Sequence, residues 1–225
     1  MLIHQNRQSV MKKDLIIIGA GQFGRELYSW TLDGIKAGND LNVKGFLDDN
    51  PDSLKNYKYN IGIISDVGSY IPHENDVFAC SISNIKAKMR CCQNILAKGG
   101  AFINLFHPTA VVGQNVTMGQ GVILGPYVIL TCDLTIGNFV TISSHSGVAH
   151  DTAIGDWCCI NGWCVINGCA VLEEAVFLGS NAVILPGSRV GKHAFVGAGS
   201  LVLRRVRDYE KVFGVPAVPI GTTGP

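Results

Sequence analysis

The sequence predicts two architectures in series: an α/β domain with a Rossmann-like first unit, then a parallel β-helix. Three observations carry this. Cut into sixes from Ala110 to Arg205, the chain has an aliphatic third position in all sixteen hexamers, from Val112 and Met118 through Ile142 and Ile160 to Val202. Ahead of that array, DLIIIGAG at 14–21 is an apolar strand running into Gly19, Gly21 and Gly24 with GxGxxG spacing. Between the two, strand-like and helix-like segments alternate, the pattern of a parallel sheet.

A helix repeats every 3.6 residues and a strand every two, so a period of six fits neither. It fits a coil with three short flat sides, each sending one aliphatic side chain inward, so that residues eighteen apart lie above one another. The fourth position is often glycine, as at Gly113, Gly119, Gly125, Gly137, Gly155, Gly179, Gly191 and Gly197. Glycine there is expected to turn the corners, through positive φ or close backbone approach.

In the first domain, the glycine turn leads into an amphipathic helix, GRELYSWTLDGI. A second strand at 41–47 ends in Asp48 and Asp49, and a third spans 76–81. Ser83 or Asn84 caps a helix that reaches about Leu96, and a last strand, AFINLF, leads to His107 and Pro108. Bare amides at the first helix's N-terminus attract phosphate. The acidic pair stands about where a dinucleotide fold places its ribose-binding acid. Only roughly 95 residues separate Met11 from the β-helix, about half a full dinucleotide fold, so a mononucleotide or nucleotide-sugar is the better size match. The expected organisation is a disordered leader at 1–10, a nucleotide-sugar-binding domain at 11–107, the β-helix at 108–205 and a tail at 206–225.

Composition narrows the classes. With 18 basic and 17 acidic residues, the chain lacks the charge bias of a nucleic-acid-binding surface. No apolar run approaches the ~20 residues of a membrane span. The first ten residues lack a signal-peptide apolar region. Eight cysteines form no CxxC pair, which suits neither zinc nor a disulfide framework and points to a reduced, cytoplasmic compartment.

One polar stretch interrupts the array, SSHSGVAHDTAIGDW from Ser143 to Trp157. His150 falls at the fifth position of its hexamer, near a corner, and Asp151 follows it. Asp133 lies one turn below Asp151, and Gly168 one turn above His150. Acyl transfer from a thioester needs those parts. An imidazole accepts the proton of the attacking group near neutral pH, a carboxylate holds its tautomer, and a fixed N–H receives the oxyanion.

GAGQFGRE, then FLDDNP, then an N-capped helix, then INLFHPTAVVG opening the hexapeptide array, together resemble the sialic acid O-acetyltransferase and bacillosamine N-acetyltransferase family. The resemblance implies a left-handed β-helix, acetyl-CoA as co-substrate, no metal, a nucleotide-activated amino sugar as acceptor, and a homotrimer with acetyl-CoA between neighbouring β-helices. It implies His150 as general base beside Asp151, with the Gly168 amide facing the thioester carbonyl. Cys159, Gly179, Ser180, Gly197 and Ala198 would join Gly168 against the cofactor. Gly19, Gly21, Gly24, Asp48, Asp49, Ser83, Asn84, Ser143 and His145 would meet the acceptor. Two positions depart from the family: Ser143 replaces a frequent asparagine, and Cys159 replaces a second histidine. The segment RRVRDYEKVFGVPAVPIG resembles the family's closing segment, and Arg204, Arg205, Arg207 and Lys211 could meet CoA phosphates. Exposed faces carrying Trp157 and Trp163 would serve an interface.

The leading function is therefore N-acetylation of a nucleotide-linked amino sugar. Its rivals are O-acetylation of sialic acid or a related sugar, a metal-dependent hydratase on the same coil, and a non-catalytic nucleotide-sugar-binding trimeric scaffold. The hydratase needs three converging histidines, and only His145 and His150 lie close in the middle coils.

Overall fold

A computed structural model of the chain describes residues 12–224; the leader expected at 1–10 lies outside them. Strand β1 (Lys13–Ile18) is the centre of a five-stranded, all-parallel sheet. Around it stand β2 (Leu41–Leu47), β3 (Ile63–Ser65), β4 (Asp76–Cys80) and β5 (Ala101–Phe102), in the order β3-β2-β1-β4-β5. Four successive apolar residues in β1 are explained by burial on both faces. Leu15 and Ile17 pack towards α1 (Gln22–Lys36), Ile16 and Ile18 towards α2 (Ile85–Ala97). The Asn84 side chain caps α2, accepting from the Ala87 N–H at 3.0 Å, so Asn84 rather than Ser83 is the cap. Strand β3 has no counterpart among the strands expected from the sequence; at three residues it is too short to show a period.

The last predicted strand divides between the domains. Ala101–Phe102 completes the α/β sheet, whereas Leu105–Phe106 already pairs with Ile123–Leu124 in the first coil of a left-handed β-helix. The solenoid has three faces. Face I begins with Leu105–Phe106, face II with Val111–Val112 and face III with Val116–Met118. Register is eighteen residues throughout the middle coils: Thr141 lies over Ile123 and under Cys159, Gly147 under Val165, Ala153 under Val171. From Leu124 to Val202 every third-position aliphatic is buried. Val112, 40% exposed, and Met118, half-buried, are the exceptions, because they sit in the first, incompletely stacked turn. The coils also continue past 205: Glu210–Phe213 adds to face I and pairs antiparallel with Val218–Thr222.

The corners differ from expectation in one respect. The fourth-position glycines do not carry the positive φ. That falls two residues later, on Asn115, Tyr127, Asp133, Phe139, His145, Asp151, Trp157, Trp163, Cys169, Ala175 and Asn181, all between 56° and 65°. The glycines answer a different constraint. A Cβ on Gly113 would strike the Thr131 carbonyl of the next coil, and one on Gly155 would lie 2.8 Å from Glu173 and Glu174 backbone. They are small because the coil above approaches closely.

The α/β domain lies on face I. Outward-pointing Ile123, Thr141 and Cys159 are buried beneath it. Trp30 of α1 rests over Gly125, and Phe102, Phe139 and Trp157 stack across the junction, the last two with ring centroids 4.2 Å apart. Trp157 is thus committed to the domain junction, whereas Trp163 is exposed. Lys88 of α2, only 1% exposed, crosses the same junction and donates to the Phe139 carbonyl at 2.6 Å and to Thr141 Oγ1 at 2.8 Å. Removing that amine strands two buried acceptors, at about 2 kcal/mol. Lys88→Met should therefore lower Tm by roughly 5 °C in calorimetry, since a chain of this size shifts ~2–4 °C per kcal/mol. An unchanged Tm would mean the amine contributes nothing to domain docking.

Candidate active site

The glycine motif distributes three roles among its glycines. Gly19 has φ +98°, a conformation that favours glycine, at the strand-to-helix turn. Gly24 packs against the Gly19 carbonyl, leaving no room for a Cβ between helix and strand. Gly21 faces open space and N-caps α1 with no side-chain cap, so the first amides of that helix are free for a ligand. Ser81 pins the loop, its hydroxyl donating to the Ile18 carbonyl at 2.8 Å and the Gly19 carbonyl at 2.9 Å.

Asp48 ends β2 and braces the same loop, accepting from the Ala20 N–H at 2.7 Å. Its other oxygen accepts from the Asn50 N–H at 2.8 Å and the Ser53 hydroxyl at 3.2 Å. Asp49 turns away and accepts from the Val67 N–H at 3.3 Å.

Between this loop and face I lies a cavity of about 460 Å³. Gly19, Gly21, Asp48 and Ser83 line it from the α/β side, Ser143 and Cys159 from the solenoid. Sequence reasoning missed Glu26 on α1, Thr141, and Asn161, which stands one coil above Ser143. The eighteen-residue step was the available signal for Asn161: an amide absent at 143 is present directly above it. Its Nδ2 donates to the Leu178 carbonyl at 2.9 Å, which fixes the side chain. Burial pushes the Cys159 thiol up from its ordinary pKa, so that side chain is a neutral wall of the cavity. Gly24, Asp49 and Asn84 are not on its surface; Asn84 borders a second cavity of about 700 Å³ with Phe177, His193 and Tyr209.

The imidazole–carboxylate pair is elsewhere in the chain. His150 and Asp151 occupy the corner between faces II and III, with Nδ1 2.8 Å from Asp151 Oδ2. Both side chains are about 60% exposed. Gly168 stands directly above: the Cys169 N–H donates to the His150 carbonyl at 2.9 Å. A Cβ on Gly168 would lie 2.6 Å from the imidazole Cε1, so the ring rests against bare backbone. One coil below, Asn115 and the Cys132 thiol donate to Asp133, holding its carboxyl below the usual range.

His145 belongs to the corner between faces I and II. There it stacks on Trp163, with centroids 4.2 Å apart, and packs against Tyr127 at 4.9 Å. Ser180 and Ala198 are exposed higher on the same corner, while Gly179 and Gly197 are covered by Ala198 and Phe213 of the chain itself. Ser143, Cys159, His150 and Gly168 therefore share two successive coils but stand on different sides of the triangle. Faces II and III meet at the corner opposite face I, so one chain does not bring His150 to its own cavity.

Residues 14–95 match the PglD N-terminal domain, and residues 169–204 match the bacterial transferase hexapeptide (six repeats). The two matches, one in each domain, support the resemblance to the hexapeptide-repeat sugar acetyltransferases. It is similar to WeeI from Acinetobacter baumannii AYE, with 25% identity and TM-score 0.81 over 92% of this chain and all of that one. PerB from Caulobacter crescentus, solved in complex with CoA and GDP-perosamine, has the same fold, with 24% identity and TM-score 0.83 over 92% of this chain and 97% of that chain. A dTDP-3-amino-3,6-dideoxy-alpha-D-galactopyranose 3-N-acetyltransferase from Aneurinibacillus thermoaerophilus is 41% identical over 46 residues, 20% of this chain and 24% of that enzyme. The chain thus spans about a quarter of the length of the curated relatives it matches.

The packing of His150 against Gly168 yields a direct test. In Gly168→Ala the new methyl meets only the exposed His150 ring, which can swing aside, so the fold should persist. Turnover should fall at least ~10-fold with Tm unchanged, because misplacing a catalytic group by about 1 Å costs up to ~100-fold. Full turnover in that variant would separate the ring's position from the chemistry.

Proposed function

We propose that this chain is an acetyl-CoA-dependent N-acetyltransferase acting on a nucleotide-linked amino sugar, working as a homotrimer. The observation that carries the reading is the shared height of two half-sites. The cavity under the glycine loop and the His150–Asp151 pair lie in the same two coils, on opposite sides of one solenoid. A rotation about an axis parallel to the solenoid preserves height. It can therefore set the II/III corner of one copy beside the cavity of the next, and cyclic symmetry repeats this until the ring closes.

Face II supports such an assembly. Its outward Val111, Ile129 and Val165 are exposed, as are Tyr127 and Trp163 at its edge. Face I is covered by the α/β domain, and face III presents Thr117, Thr135 and Arg189 instead. An uncovered apolar face on one side alone marks a contact surface.

In the assembled site the nucleotide lies in the cavity, its phosphates at the free amides of α1. Asp151 accepts from His150 Nδ1–H, leaving Nε2 with its lone pair. The sugar amine attacks the acetyl carbonyl of the thioester, and Nε2 takes the amine proton. Negative charge gathers on the carbonyl oxygen, where the Gly168 N–H donates to it. The tetrahedral species collapses, the carbon–sulfur bond breaks, and the CoA thiolate takes the proton from the imidazolium. The amide, CoA and the neutral enzyme result, with no covalent enzyme intermediate.

The test combines loss and rescue. A screen of UDP-, dTDP- and GDP-linked amino sugars with acetyl-CoA, read by thiol release, should identify one acceptor. His150→Ala should lower kcat about 10³-fold on it, the scale of a lost general base. Co-refolding His150→Ala with Asp48→Ala, each inactive alone, should restore about a quarter of wild-type turnover, since random assortment pairs an intact cavity with a neighbour's intact imidazole in one site of four. No recovery would refute a site shared between subunits, and near-full turnover by His150→Ala would refute the base.

A further inference from the structure

The corner that carries His150 also carries metal-binding atoms that the acetyl transfer does not use. Vertical register places Asn115, Asp133, Asp151 and Cys169 in one column at the sixth position of their hexamers. Cys132 and His150 form the adjoining column at the fifth. In this group a His150 ring nitrogen, an Asp151 carboxylate oxygen and Cys169 Sγ all lie within 4.8 Å of one another. All three residues are exposed, so a cation reaches them from solvent. The Cys132 thiol, hydrogen-bonded to Asp133, stands one coil below as a further soft donor.

Around a tetrahedral zinc ion, nitrogen and oxygen ligands sit at ~2.0–2.2 Å and sulfur at ~2.3 Å, which puts ligand atoms about 3.5 Å apart. The widest separation among the three, at most 4.8 Å, has to close by about 1 Å, and the His150–Asp151 hydrogen bond at 2.8 Å has to open, both within the reach of rotation at an open corner. The backbone beneath them does not move, because coil hydrogen bonds such as Cys169 N–H to the His150 carbonyl at 2.9 Å hold the two levels together. One thiolate, one imidazole and one carboxylate is a borderline-soft donor set. It selects zinc and its neighbours over magnesium or calcium. Three protein ligands leave the fourth position for water or another thiol.

We propose that His150, Asp151 and Cys169 form a zinc-binding site, and that an ion bound there switches acetyl transfer off by occupying the imidazole. The binding claim stands on these donors alone; the switching claim rests on the reading of His150 as base. The ion is an inhibitor of the reaction, not a participant in it.

Cobalt(II) reports the site without reference to activity. Titrated into the metal-free wild-type protein, it should bind one equivalent per chain and develop a sulfur-to-cobalt charge-transfer band, which zinc then abolishes by displacement. Cys169→Ser should lose the band and bind zinc at least ~30-fold more weakly by competition with a chromogenic chelator, whereas Cys132→Ser should keep both. Absence of the band in wild type, or its persistence in Cys169→Ser, overturns the site. For the switch, zinc should inhibit wild-type turnover reversibly, with a chelator restoring it. Cys169→Ser, active without metal, should need at least ~30-fold more zinc for the same inhibition. Equal zinc sensitivity of the two proteins overturns the switch. A wild-type protein that shows the band but acetylates none of the nucleotide sugars leaves the site standing and removes the function proposed above along with the switch.

Discussion

Everything in this molecule depends on one vertical constraint, the eighteen-residue register between successive coils. It is held by backbone hydrogen bonds that run along the solenoid: Thr141 N–H to the Cys158 carbonyl at 2.9 Å, Ser143 to Ile160 at 2.8 Å, Ala149 to Ile166 at 2.8 Å. A slip of one residue would turn the inward aliphatics to solvent and the outward set into the core, so register is strongly specified. Each hexamer from the first to the one ending at Gly199 accepts a left-handed residue to make its corner, at a cost on the order of 1 kcal/mol where that residue is not glycine. Tertiary stacking overrides that cost. Phe139 on Trp157 and His145 on Trp163 place aromatic rings in the left-handed position, each lying flat on its neighbour one coil away.

The three faces share the same inward pattern and differ only outside. Face I is roofed by the α/β domain, joined through Trp30, the Phe102–Phe139–Trp157 stack and the buried amine of Lys88. Docking there turns an outward strand residue such as Thr141 into a cavity wall. Among the described residues, the cavity holds Glu26 and Asp48 but no lysine or arginine on its surface. The free backbone amides at the N-terminus of α1, where Gly21 leaves room for close approach, are the anion-attracting groups beside it.

The candidate chemistry is assembled from small, repeated displacements. His150 is one residue from Asp151 and one coil from Gly168, so helical stacking places an imidazole, a carboxylate and a bare amide at a single corner. Its exposure follows from geometry: a corner residue at the fifth position points outward whatever its identity. That exposure leaves the pair open to solvent, with the exposed Cys169 thiol beside it.

Much of this was legible in the sequence. The sixteen-fold aliphatic beat foretold the solenoid, and arithmetic in eighteens foretold Gly168 above His150, because hydrogen bonding between coils permits no other spacing. Glycine placement foretold the strand-to-helix turn, since a positive φ and a helix packed on backbone both demand the missing Cβ. The sequence also determined the chemical types at the corner. What only the tertiary structure decided is which parts meet. It sent Asp49 to the Val67 amide, Gly24 into the helix–strand contact and Trp157 under the α/β domain, and it brought Asn161 and Thr141 into the cavity. The physical reason is that periodicity fixes the height and facing of a residue within its own coil, whereas a cavity between domains depends on packing between surfaces whose periods are unrelated.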